Sequence, residues 1–111
     1  MDKKSKLVII ADADIQVRQL VDRFLTDAGY TVEHALDGYE ALDKARKTPP
    51  HVVLADILMP KLDGLALCRL LKSDRATEHI VTVVMFSVLA SEERAMKAGA
   101  DGFIRKPLEK H

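Results

Sequence analysis

The chain has 111 residues, 48% of them apolar and 31% charged, with 17 basic and 17 acidic side chains and no formal net charge. The length fits one domain with room for a real core. The charge balance offers no basic excess for nucleic acid and no polybasic run for a membrane surface, and no apolar run is long enough to span a bilayer.

The N-terminus, Met1 to Lys6, is charged and leads only into Leu7 to Ala11 (LVIIA), too short for a signal sequence. That run reads as the first buried strand. Val17, Leu20, Val21, Phe24, Leu25 and Ala28 then recur at helical spacing as one apolar stripe, closed by Gly29 as a C-cap signal. Tyr30 to Ala35 (YTVEHA) reads as the second strand. The next helix starts at Asp37 with Glu40 three residues on, a capping-box pattern, and ends before Pro49-Pro50. Val52 to Ala55 (VVLA) is the third strand, followed by a helix capped by Asp63 that runs to about Lys72. Val81 to Phe86 (VTVVMF) is the fourth strand. A helix capped by Ser91 and ended by Gly99 follows, then a short fifth strand, Gly102 to Arg105, stopped by Pro107. Cys68, the sole cysteine, lies among Leu65, Leu67, Leu70 and Leu71. It excludes an intramolecular disulfide, reads as a small core residue, and leaves a reducing cytoplasm as the default location.

Three of the strands are continuous apolar runs, which suits parallel strands covered on both faces. Strands alternating with helices imply repeated βαβ units, each crossover right-handed, in an α/β doubly wound sheet. Ligands of such open sheets bind outside the carboxyl ends of the strands. At those ends stand Asp12 with Asp14 close by, Asp56, Ser87 and Lys106. Singly, each has a plain structural explanation: Asp14 as a helix cap, Ser87 as a loop residue, Lys106 as a solvated cation. Their arrival at one edge points instead to a site. A carboxylate such as Asp56 can attack a phosphoryl group and form an acyl phosphate. Mg²⁺ neutralises spread phosphoryl charge while held by few carboxylates, a lysine offers a mobile point charge, and a serine hydroxyl bonds a further oxygen.

Asp56 to Gly64 (DILMPKLDG) resembles the D-x-x-M-P-x-x-D-G signature of response-regulator receiver domains. Ser87 matches their Ser/Thr after the fourth strand, and Ala98 to Pro107 (AGADGFIRKP) matches their A-G-A-x-x-aromatic-x-x-K-P run. The resemblance covers nearly the whole chain. It implies a flavodoxin-like, CheY-like sheet of five parallel strands in the order 2-1-3-4-5, with residues 1–111 as a single receiver domain of a two-component system. It further implies that Asp56 accepts a phosphoryl group from a histidine kinase or phosphotransfer protein, and that Asp12, Asp56 and the backbone carbonyl of Leu58 hold Mg²⁺. Lys106 would contact the phosphate. Ser87 would turn toward it after transfer, and Phe103 is either the aromatic that swings inward with it or plain core filler. Such a domain phosphorylates and dephosphorylates itself but turns over no separate substrate, and binds neither DNA nor membrane directly.

Four departures from the family pattern stand out. Aligned through Arg18, the second acid that usually follows the first strand falls on Ala13, so Mg²⁺ binding should be weakened; Asp14 is read as a cap, not a replacement. Val88 stands where a smaller residue is usual. The segment from Ser87 to Gly99 is about one turn short, which predicts a shortened fourth helix. After Pro107 only Leu108, Glu109, Lys110 and His111 follow, so the fifth helix is expected to be absent or truncated. Half of one sheet face would then be bare in a shortened chain, or covered by a partner or a second copy in a homodimer. A degenerate receiver, acting as a phosphorylation-independent interaction module, is the alternative that Ala13 and Val88 favour. A haloacid-dehalogenase-like phosphatase also carries D-x-D after a first strand, as Asp12-Ala13-Asp14 does, but Gln16 stands where that motif wants Thr or Val, and the chain lacks room for the later acidic motif.

Overall fold

The computed structural model describes residues 6–86 and 92–105, the side chains of Met85 and Phe86 excepted. Its elements alternate in chain order: β1 (Leu7–Ala11), α1 (Ile15–Asp27), β2 (Thr31–Ala35), α2 (Gly38–Lys47), β3 (Val52–Asp56), α3 (Gly64–Lys72), β4 (Val81–Phe86), α4 (Glu92–Lys97) and β5 (Gly102–Arg105). The strands form one parallel sheet in the order β2-β1-β3-β4-β5. The expected fold class and strand order hold. The second strand starts one residue later than expected and the third ends one later, on Asp56.

The apolar runs form central strands because both faces are covered. Alternate residues go to opposite faces. Val8, Ile10 and Leu54 pack with Val21 of α1, while Ile9, Val53 and Ala55 pack with Ala41, Leu42, Leu67 and Leu71 of α2 and α3. A third cluster, Ile57, Leu65, Cys68, Val84, Ala95, Ala98 and Ala100, sits under α4 with Phe103 packed against it. Cys68 is buried there, and burial pushes its thiol up to about 11, so it is an inert core residue. The α1 side of β4 and β5 is less covered: Val81 is 44% exposed and Ile104 36%. The residues that would begin a fifth helix lie outside the described residues, as does Ser91, the expected cap of α4.

The helix signals act as their chemistry requires. Asp14, Asp37 and Asp63 each sit in extended backbone at an N-cap, accepting from the amides of Gln16, Glu40 and Ala66. Glu40 reaches back past the cap residue and accepts from the Leu36 amide, one position before it, at 2.7 Å. Gly29 and Gly99 follow α1 and α4 with positive φ, 98° and 96°.

Two helix starts are wedged against the loop that follows β3. A Cβ on Gly64 would collide with the Asp56 carbonyl, and one on Gly38 with the Leu62 carbonyl. The loop is also braced by Lys61, whose ammonium lies 3.7 Å from the Asp37 carboxylate. Gly38→Ala is therefore expected to cost about 2 kcal/mol, as overpacking against backbone does. Urea unfolding would read this as a lower midpoint with unchanged slope.

A polar node ties α3 to β4 and β5. The Lys72 ammonium donates to the carbonyls of Ile80 (2.8 Å) and Glu78 (3.3 Å) and to Asp101 Oδ2 (2.6 Å). That same oxygen accepts from the Thr82 amide at 2.8 Å. Burial works upward on the Asp101 carboxyl, but the bonds from Lys72 and Thr82 outweigh it and hold it below the ordinary value of 3.8. A depressed carboxyl contributes stability that is present above 3.8 and lost as pH falls toward its folded value. Asp101→Asn should therefore lower stability at neutral pH by on the order of 1 kcal/mol, the low end for a charged bond on a half-exposed carboxylate, and flatten the acid limb below pH 4. Melting curves across pH 2 to 7 check both (about 1 kcal/mol is several degrees at this size).

Candidate functional site

β1 and β3 are neighbours at the centre of the sheet, with Ala11 paired to Ala55. One residue further along each strand come Asp12 and Asp56, so the register itself sets the two carboxylates side by side at the carboxyl edge. Both are buried, Asp12 at 1% exposure and Asp56 at 8%. Two neighbouring carboxylates at a buried strand edge repel each other, and a cation relieves that repulsion.

Asp12 is fixed from three directions. Its amide donates to the Ala35 carbonyl of β2 at 3.2 Å, its Oδ1 accepts from the Asp14 amide at 2.8 Å, and its carbonyl accepts from Arg18 Nη1 at 2.5 Å. Asp14 is exposed and spends its carboxylate capping α1. Ala13 is exposed between them. On the other side, Asp56 opens a tight loop. Gly64 N donates to the Ile57 carbonyl at 3.1 Å, Leu62 N to the Pro60 carbonyl at 2.7 Å, and Lys61 adopts φ 69°. Met59 is buried in the core beneath, and Leu58 stands 65% exposed at the rim. The loop's path is thus set by an apolar anchor below and glycine packing behind.

The donor set suits a hard cation. Two carboxylates and a backbone carbonyl are oxygen ligands of the kind Mg²⁺ takes while keeping several waters. Among the described residues no group of three or more His, Cys, Asp or Glu side chains could hold a metal.

Of the expected site residues, the structure brings Asp12 and Asp56 together and puts the Leu58 segment beside them. Ser87, Val88 and Lys106 lie outside the described residues. Phe103 is half-buried against the α4 cluster. Sequence reasoning used Arg18 only as an alignment mark and passed over His34. Arg18 is buried, and its Nε donates to His34 Nδ1 at 3.2 Å, while His34 Nε2 lies 2.7 Å from Asp22 Oδ2. A cation on an otherwise apolar helix stripe was the available signal, since a buried guanidinium must find acceptors.

Known proteins share this architecture. The family model described as response regulator receiver domain matches residues 8–111. The response regulator MprA of Mycobacterium sp. (strain KMS) is 37% identical over 101 residues, covering 91% of this chain and 44% of that protein. The chain thus spans less than half the length of the curated relatives it matches. The chemotaxis response regulator CheY4 of Vibrio cholerae superposes with a TM-score of 0.87 at 30% identity, over 95% of this chain and 89% of that one. The signal receiver domain of a signal transduction histidine kinase from Syntrophus aciditrophicus gives 0.85 at 30% identity, over 95% and 81%.

Proposed function

Because the chain belongs to the response regulator receiver domain family of two-component systems, we propose that residues 1–111 act as a single receiver domain in which Asp56 takes a phosphoryl group from the phosphohistidine of a histidine kinase or phosphotransfer protein. The observation that carries this reading is the pair of buried carboxylates, Asp12 and Asp56, set side by side by the β1–β3 register. The Asp56 carboxylate attacks phosphorus, the P–N bond to the imidazole breaks, and the product is an acyl phosphate. Asp12, Asp56 and the Leu58 carbonyl would hold Mg²⁺, which when bound offsets the charge of the transferring group. Lys106 neutralises a phosphate oxygen, and Ser87 bonds another once transfer is complete. The new charge then biases the surface around β4, α4 and Phe103 between two arrangements. No separate substrate is turned over; the aspartyl phosphate hydrolyses in place.

No helix of the described residues is long and apolar enough to cross a membrane. Membership of the receiver family is what supports a site of action in the cytoplasm.

Intact mass spectrometry tests the reading. Acetyl phosphate with Mg²⁺ should add one phosphoryl group to the chain. A second reading, a degenerate receiver that binds partners without phosphorylation, is favoured by Ala13, exposed where the family usually has an acid. No mass addition at saturating Mg²⁺ would leave that reading standing and remove the first.

A further inference from the structure

The three capping aspartates at the carboxyl edge are held by backbone amides close in sequence, and the Asp12 carboxylate accepts one as well. The carbonyl of Asp12 is different: it is held by the end of a long side chain. A guanidinium bonded at one end only can swing, and packing against aliphatic neighbours does not fix its rotation. Arg18 has a second anchor. Its Nε donates to His34 Nδ1 at 3.2 Å while its Nη1 donates to the Asp12 carbonyl at 2.5 Å.

The anchor is itself anchored. A guanidinium only donates, so His34 Nδ1 must accept, and the ring proton sits on Nε2, which donates to Asp22 Oδ2 at 2.7 Å. The other Asp22 oxygen accepts from the Thr26 hydroxyl at 2.7 Å. Arg18, Asp22 and Thr26 recur every fourth residue along α1 and so face β2 as one stripe. From the other side, the Lys44 ammonium of α2 holds the His34 carbonyl at 2.6 Å. The bonds from Thr26 and His34 hold the Asp22 carboxyl below its ordinary value, as expected of an acceptor at the end of a chain of donors.

We propose that His34 is a positioning residue of the phosphoacceptor site: it locks Arg18 across the Asp12 carbonyl and so fixes the Asp12 carboxylate where the pocket uses it. His34 touches neither the pocket nor a ligand. It acts through Arg18, as the outer partners of metal ligands do by orienting them. The proposal rests on the reading of Asp12 as a metal-holding acid given above.

Two variants separate positioning from mere packing. His34→Gln keeps an acceptor for Arg18 and a donor for Asp22, because the amide oxygen and nitrogen are spaced much like the two ring nitrogens. His34→Leu keeps bulk and loses both bonds. Calorimetric titration with MgCl₂ should find His34→Leu about tenfold weaker than the parent, in the range typical for removing an outer partner, and His34→Gln close to the parent. On the unaltered protein, ¹⁵N NMR should detect a coupling across the Arg18 Nε–His34 Nδ1 bond. Equal Mg²⁺ affinity in His34→Leu and parent, or an equal loss in both variants, overturns the proposal. So does absence of the coupling, which decides the matter even where His34→Leu fails to fold. A parent that binds no Mg²⁺ overturns the phosphoacceptor reading and this proposal together; a parent that binds it as well as His34→Leu does overturns this proposal alone.

Discussion

Asp56→Asn is expected to abolish phosphoryl uptake from acetyl phosphate while leaving the fold intact. The reaction needs an anionic oxygen with a lone pair to give, and the amide that replaces it is a poor nucleophile at every accessible pH. The loss is therefore of the step itself and not of affinity. The side chains are nearly the same size, so the position at the end of β3, 8% exposed, tolerates the exchange without a cavity or a clash. Intact mass should show no addition to the variant under conditions that label the parent, and thermal melting should show little change. A variant that still gains one phosphoryl group would move the acceptor elsewhere, with Asp12 the first alternative because it is the neighbouring buried acid.

Ala13→Asp is expected to tighten Mg²⁺ binding by on the order of a hundredfold, the upper range for changing a metal's ligand environment. The position is exposed, so the larger side chain meets no wall, and it lies between Asp12 and the α1 cap. A third carboxylate would replace a water in the coordination sphere and add a full charge at short range, where the pocket's low dielectric makes charges count. Titration calorimetry of the two proteins at equal ionic strength measures the difference. Equal affinities would mean that Ala13 is not a missing ligand, and the weakened-metal account would fall with it. Phosphorylation of the variant should rise at low Mg²⁺ and converge with the parent at saturation, since only the metal's occupancy differs.

Much of the fold could be read from residue order because local and global preferences agree in it. The runs LVIIA and VVLA are apolar on both faces, and both become central strands packed on both sides. Asp37 with Glu40, and Asp63 before an apolar run, become caps because an N-cap is a contact between near neighbours. Asp12 and Asp56 were legible as a pair for a different reason: a parallel sheet gathers its strand ends, so two acids 44 positions apart meet without any local signal. What stayed hidden depends on side chains crossing between elements. Arg18 to His34 and Lys72 to Asp101 are bonds over 16 and 29 positions, and nothing in the spacing of either pair announces them. A lysine or histidine on a helix or edge strand reads as solvated until packing fixes what it faces. Boundaries moved by a residue at β2 and β3 because a strand ends where its neighbour stops pairing, which is a property of two segments and not of one.

The caps have a consequence for how the molecule looks from a distance. Asp14, Asp37 and Asp63 start their helices, and Asp12 and Asp56 end their strands, all on one rim of a protein whose charges sum to zero. An overall balance therefore hides an uneven placement of acids, offset at Asp37 by the Lys61 ammonium 3.7 Å away. The part of this charge that neighbouring cations do not offset would draw cationic surfaces toward the rim before any contact forms, and such a pull fades over a Debye length of about 8 Å at physiological salt. Encounter with a partner would then be fastest in dilute buffer and slow as salt is added, while the lifetime of the docked pair would change far less. A neutral domain of this build carries a sense of direction that its isoelectric point does not reveal.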